Sequence, residues 1–193
     1  MPTPADHQKR ALRAELRERR QNLTVVEREN ATIGVTNNLI SLVSGLDARS
    51  VSCYLSSPTE PDTRPFVNWA LAHDVRVLFP VSREDGLLDW TVGSEGEQEQ
   101  QGLYGMPEPV GEPLGPIAIN DVDLIVVPAA AISPDGTRLG WGRGYYDKTL
   151  GSMEKCPPVY AVVYDSEIVS DIPRELHDQP VNGVVTPSRI FDF

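Results

Sequence analysis

Cysteine, histidine and long apolar runs are all scarce in this chain of 193 residues, and each scarcity removes a class of explanation. The two cysteines, Cys53 and Cys156, lie far apart and without metal-ligand spacing, one in an apolar stretch and the other in a proline-flanked connection. That excludes a disulfide framework and a thiolate zinc site, and both read as free thiols. The histidines, His7, His73 and His177, are scattered, so no zinc centre is expected from them. No apolar run approaches the ~20 residues of a membrane span, and residues 1–21 are charged where a signal peptide would be apolar. A cytoplasmic protein without a membrane partner is expected. Basic residues are also outnumbered, 17 Lys and Arg against 28 Asp and Glu, for a formal charge of −11 and a pI near 4.7. A nucleic-acid backbone needs clustered Lys and Arg, so nucleic acid is not expected as a partner. An anionic small ligand would need a local basic pocket instead.

What the chain does have is 40% hydrophobic residues, enough for a real core at this length. One domain over residues 1–193 is expected, as a monomer. Its most informative stretch is DLIVVPAAAISPDGTRLGWGRGYYDKTL, from Asp123 to Leu150. A short apolar run from Leu124 to Val127 breaks at Pro128, and Gly136, Gly140, Gly142 and Gly144 follow within nine residues before Tyr145, Tyr146 and Asp147. The pattern predicts a buried strand, a loop and a glycine-rich turn into a helix reaching about Lys155. Such a loop lets backbone N–H groups converge on an anion, and the start of a helix adds more of them. Arg138 and Arg143 bring positive charge to the same place. Asp147 is placed to hold Mg²⁺ beside phosphate oxygens, since that ion takes one or two protein carboxylates and fills its shell with water and phosphate. An ordinary glycine-rich surface turn with a capping aspartate fits the bare pattern equally well, because the spacing is neither that of a P-loop nor that of a dinucleotide fold.

Around this stretch the chain alternates helices and strands. Residues 5–23 are dense in helix formers, with six of the seventeen basic residues in twelve positions: Lys9, Arg10, Arg13, Arg17, Arg19 and Arg20. Thr24 and Glu27 form a capping box opening a second helix to about Val43. Strand patterns cover 50–55, 75–80, 87–92, 159–164 and 181–186, with a helix over 65–73. Residues 93–101 read as an exposed loop or frayed helix. The three prolines and two glycines of 103–113 predict an irregular connection. Buried apolar strands alternating with helices predict an α/β fold, a mostly parallel sheet covered on both faces.

The string G-T-R-L-G-W-G-R-G-Y-Y-D over 136–147 resembles the signature of the 5-formyltetrahydrofolate cyclo-ligase family, also called methenyltetrahydrofolate synthetase. Three further elements agree in the expected order: the basic start, the strand end from Leu55 to Glu60, and Y-G-M-P-E-P over 104–109. The resemblance implies a Rossmann-like fold related to the sugar-phosphate isomerase and CoA-transferase types. It also implies ATP- and Mg²⁺-dependent conversion of 5-formyltetrahydrofolate to 5,10-methenyltetrahydrofolate. By that resemblance Lys9, Arg10, Arg13, Arg138, Gly140, Gly142, Arg143, Gly144, Tyr145 and Tyr146 would hold ATP. Leu55, Glu60, Tyr104, Met106, Gly144 and Tyr145 would hold the folate, with Glu108 a weaker candidate. Arg143, Tyr145 and Tyr146 would serve the chemistry, although Tyr146 fits the core equally well. Asp147 and Asp178 would hold the metal. Within the last strand the family pattern carries an acidic residue where this chain has Asn182, so Asp178 or water would complete the shell. Two other readings stay open: a binder of nucleotide or folate without turnover, for which Asn182 is the support, and an α/β enzyme of isomerase or transferase chemistry.

Overall fold

A computed structural model describes all residues, 1–193. Two long helices come first, α1 (Pro4–Gln21) and α2 (Val25–Gly45). Both begin with capping boxes. In the first, Thr3 and Asp6 bond reciprocally with Pro4 in the first turn; in the second Thr24 and Glu27 do so as the sequence predicts. Then follow β1 (Ser50–Ser52), α3 (Arg64–Ala72), β2 (Arg76–Ser82), β3 (Leu88–Val92), β4 (Glu99–Gln101) and β5 (Pro107–Pro109). The second half contains β6 (Leu124–Pro128), β7 (Ala131–Ile132), β8 (Arg138–Leu139), α4 (Tyr145–Gly151), β9 (Val159–Val162), β10 (Gly183–Val185) and β11 (Ile190–Asp192).

The main sheet has seven strands in the order β11-β10-β9-β6-β1-β2-β3, with the five inner strands parallel and both edge strands antiparallel. Both faces are covered, which is why the inner strands read as apolar runs rather than alternating ones. On one face Val51, Val77, Leu124 and Val126 pack against Leu39 and Val43 of α2 and Phe66 and Ala70 of α3. On the other, Leu78, Ile125, Val127 and Ala161 meet Tyr145, Tyr146 and Leu150 of α4 and Ile119 of a short 3₁₀ turn. Strand order reverses direction between β1 and β6, so the crevice beyond the carboxyl ends of those two strands is where such a fold binds ligands.

Several elements differ from the sequence expectations. β1 stops at Ser52, although the apolar pattern runs on to Leu55, because the Thr63 hydroxyl takes the Tyr54 carbonyl (2.6 Å) and peels the chain off the sheet. α4 ends at Gly151 with Ser152 as its cap, so its seven residues make a weaker dipole than a helix to Lys155 would. The polar tail of 93–101 and the proline-rich 107–109 pair as the β4–β5 hairpin, prolines being tolerated in a two-stranded ribbon with free edges. β11, a short antiparallel edge, and the small β7–β8 hairpin inside the predicted loop carry no clear periodicity of their own.

Candidate active site

The inward face of α1 is basic. Lys9, Leu16 and Arg20 are buried and Arg13 is half-buried, a spacing that puts all four on one side of the helix, whereas Arg10 and Arg19 point to solvent. This face lies over the carboxyl end of β6. Arg20 Nη2 donates to the Ala129 carbonyl (2.8 Å), and its guanidinium grips both oxygens of Glu167, from Nε at 2.7 Å and Nη2 at 2.9 Å. Arg13 Nε donates to the Gly140 carbonyl at 2.7 Å, tying the helix to the glycine-rich loop. The indole of Trp141 in that loop lies beneath Arg17 and Arg20, at 5.3 and 5.1 Å.

The β7–β8 hairpin aims Arg138. Its turn is fixed by Asp135, whose carboxylate accepts from the Thr137 N–H (3.0 Å) and the Ser133 hydroxyl (2.5 Å) and is held down at about 2 by those bonds. Arg138 is buried; Nη1 donates to the Pro128 carbonyl (2.8 Å), Nη2 stands 3.7 Å from Asp147, and Nε has no partner. A Cβ on Gly140 would stand 3.0 Å from the Arg138 guanidinium, so any side chain there would press on that group. Gly144 caps α4 at φ 74°, a left-handed conformation that turns the chain abruptly into the helix.

Together these groups frame a cavity of about 270 Å³ beside the switch point. Lys9, Arg13, Arg138, Gly140, Gly142, Arg143, Gly144, Tyr145, Tyr146, Asp147, Asp178 and Met106 all line it. Tyr145 and Tyr146 are at once core and wall: both are buried, and Tyr145 Oη donates to the Arg83 carbonyl at 3.0 Å. The Tyr146 phenol is raised far above its ordinary range by burial, which outweighs the Arg138 guanidinium 5.7 Å over its ring.

Sequence reasoning named Asp178 but missed its neighbours Glu175 and His177 on the acidic side of the cavity. Glu175, His177 and Asp178 meet in one turn, where each offers a ligand atom within 4.8 Å of the others. Lys9 Nζ donates to Glu175 (2.8 Å) and Asp178 (2.7 Å). Desolvation opposes both charges, yet the hydrogen bonds prevail, so the Lys9 ammonium titrates above and the Asp178 carboxyl below the ordinary value. The clue lay in the string E-L-H-D, four residues with three ligand types, which the scattered count of histidines hid.

The remaining candidates lie elsewhere. Leu55 packs against the core and lines neither cavity. Glu60 accepts from the Ser57 N–H (2.9 Å) and borders a second, open cleft of about 980 Å³ with Arg28, Asp62, Arg64 and Tyr164. Tyr104 is exposed, its ring under the Arg143 guanidinium at 3.6 Å. Glu108 is buried with one oxygen unpaired and faces neither cavity. The two cavities flank the same loop: Met106 lines one, Gly105 and Pro107 the other. Asn182 is far from both. Its Oδ1 accepts from the Val159 N–H (2.8 Å) where β9 begins, at the opposite edge of the sheet, so it is no part of a metal shell. The support it lent to a non-catalytic reading disappears with it.

The donor chemistry suits a hard divalent cation. Asp147 uses Oδ1 toward Gln179 N (3.2 Å) and Arg138, and Asp178 uses Oδ2 toward Lys9 and Glu175 N, leaving Oδ2 of Asp147 without a hydrogen bond and Oδ1 of Asp178 facing only His177 Nε2, at 3.5 Å. Arg13 and Arg143 are tied to no carboxylate, so their charge is available to phosphate.

Fold and cavity therefore define a doubly wound α/β protein with a glycine-framed basic pocket at the carboxyl edge of its sheet. A family model described as the 5-formyltetrahydrofolate cyclo-ligase family matches residues 5–187. The chain belongs to that family. A 5-formyltetrahydrofolate cyclo-ligase of Mycolicibacterium smegmatis is 34% identical over 188 residues, covering 94% of each chain. One from Escherichia coli is 27% identical over 92% of this chain and 100% of its own. Among solved structures, a 5,10-methenyltetrahydrofolate synthetase of Aquifex aeolicus superposes with a TM-score of 0.79 at 30% identity, over 95% of this chain and 92% of the other.

Proposed function

We propose that this chain, as one cytoplasmic domain acting as a monomer, converts 5-formyltetrahydrofolate to 5,10-methenyltetrahydrofolate at the cost of ATP. The observation that carries the reading is the convergence of Arg13, Arg138, Arg143 and the glycine loop with two carboxylates, Asp147 and Asp178, in one cavity. The formamide oxygen of the substrate is a poor leaving group. In the proposed sequence it attacks the γ-phosphorus of ATP and ADP departs. N10 then attacks the formyl carbon and loses its proton, and the C–O bond breaks to release phosphate. Phosphoryl transfer asks the protein for positioning and charge neutralisation rather than for a nucleophile.

The residues divide accordingly. Arg13, Arg138 and Arg143 neutralise the phosphates; Gly140, Gly142 and Gly144 admit them close to the backbone; Asp147 and Asp178 hold Mg²⁺. When bound there, Mg²⁺ would supply positive charge to offset the negative charge that develops during transfer. Lys9 keeps Asp178 ionised and oriented. Glu60 binds the pterin edge in the neighbouring cleft, which brings the formyl group to the Met106 loop between the two cavities. Tyr145 and Tyr146 close the floor and exclude water. Arg10, exposed, contributes only through its field.

The test is the near-ultraviolet absorbance of the methenyl product. Protein with 5-formyltetrahydrofolate and MgATP should generate it, and omission of ATP should abolish it. A folded protein that binds ATP and gives no rise would refute the reading.

A further inference from the structure

The tip of the β4–β5 hairpin holds a residue that its backbone does not favour. Met106 N donates to the Leu103 carbonyl at 3.3 Å, closing a turn whose central residues are both left-handed, Tyr104 at φ 60° and Gly105 at φ 71°. Such a turn suits asparagine followed by glycine. A tyrosine there stores backbone strain, and strained positions concentrate at functional sites. Burial does not reward it, because Tyr104 is 58% exposed. What its ring does hold is Arg143, whose guanidinium stands 3.6 Å from the ring centroid. Arg143 sits between two left-handed glycines, Gly142 (φ 97°) and Gly144 (φ 74°), and its guanidinium lies against the Tyr104 ring.

We propose that Tyr104 is a positioning residue acting through Arg143: the ring, pinned at the tip of the hairpin, seats the guanidinium at the mouth of the glycine-framed cavity. A guanidinium stacks on an aromatic face with a defined plane, which an ammonium would not. The same turn carries Met106 into that cavity, so the phosphate-facing arginine and one wall of the cavity are set by a single hairpin. The inference rests on the cyclo-ligase reading above and adds to it a reason for the strained tyrosine.

The experiment compares Tyr104→Asn, Tyr104→Phe, Arg143→Met and the double variant Tyr104→Asn with Arg143→Met, by thermal melting and by steady-state kinetics of methenyl formation. Wild-type turnover is measured first, and its absence would remove the cyclo-ligase reading and this proposal with it. Given turnover, Tyr104→Asn should melt about 2 to 6 °C higher as strain is relieved, while its KM for ATP rises about fivefold. Tyr104→Phe, which keeps the ring, should stay within about twofold of wild type, since ring stacking carries the contact. The double variant should be no worse than Arg143→Met alone, because Tyr104 acts through that arginine. The proposal is overturned if Tyr104→Asn melts lower in step with its loss of activity. It is equally overturned if the two single defects multiply in the double variant, or if Tyr104→Phe is as impaired as Tyr104→Asn.

Discussion

Replacing Arg20 by methionine should destabilise this fold more than any surface change of the same size. Arg20 and Glu167 are each 2% exposed at the side chain, and their two hydrogen bonds, 2.7 and 2.9 Å, make a bidentate pair. Methionine matches much of the arginine stem but leaves the Glu167 carboxylate buried, holding only the Tyr164 N–H at 2.8 Å. Removing one partner of a buried pair costs about 3 to 5 kcal/mol. The Ala129 carbonyl loses its donor as well, worth about 1 kcal/mol more. At roughly 2 to 4 °C per kcal/mol for a chain of this size, the melting temperature should fall by about 8 to 24 °C. Adding Glu167→Gln removes the orphaned charge while its amide oxygen still accepts from Tyr164, so the double variant should regain a large part of the loss. Melting of the three proteins followed by circular dichroism decides the matter. A fall under about 2 °C for Arg20→Met, or a double variant worse than the single, would refute the claim that a buried charge pair anchors α1 to the turn that follows β9.

Other expectations concern the cavity and its frame. Asp147→Ala should cut Mg²⁺-dependent turnover by at least about a hundredfold without unfolding the protein, as loss of a metal ligand does, and Glu60→Ala should instead raise the KM for the folate; unchanged kcat/KM in both would displace the site. Asp135 has a folded-state carboxyl near 2, below its unfolded value, so the stability it lends the β7–β8 turn is full above about pH 4 and lost as pH falls toward 2. Asp135→Ala should therefore melt lower than wild type at pH 7 and match it near pH 2, and a gap that persists in acid would contradict the assignment.

The apolar runs made the sheet legible because every inner strand is buried on both faces, and Thr24 with Glu27 gave the start of α2 by local chemistry alone. The glycine-rich wall of the cavity was readable for a different reason: Arg138 to Asp147 is contiguous, so its glycine spacing is a property of the string. Partners distant in sequence were not. Nothing near Lys9 indicates that residues 175 and 178 receive its ammonium, and nothing near Arg20 announces Glu167, because those contacts exist only once α1 lies across the sheet edge. Asn182 misled through its position in a string; the strand register sends it to the opposite edge, where its amide completes a backbone pair. Helical phase also sorted the basic run. Lys9, Arg13 and Arg20 turn inward, and Arg10, one residue out of step, does not.

The most direct test of the account follows the formyl oxygen itself. 5-Formyltetrahydrofolate labelled with oxygen-18 in the formyl group is turned over with MgATP, and the released phosphate is analysed by mass spectrometry. If ATP activates that oxygen for departure, each methenyl product is accompanied by one phosphate carrying one heavy oxygen. Unlabelled phosphate accompanying the methenyl product would contradict the proposed activation, and absence of the product altogether would contradict the proposed function.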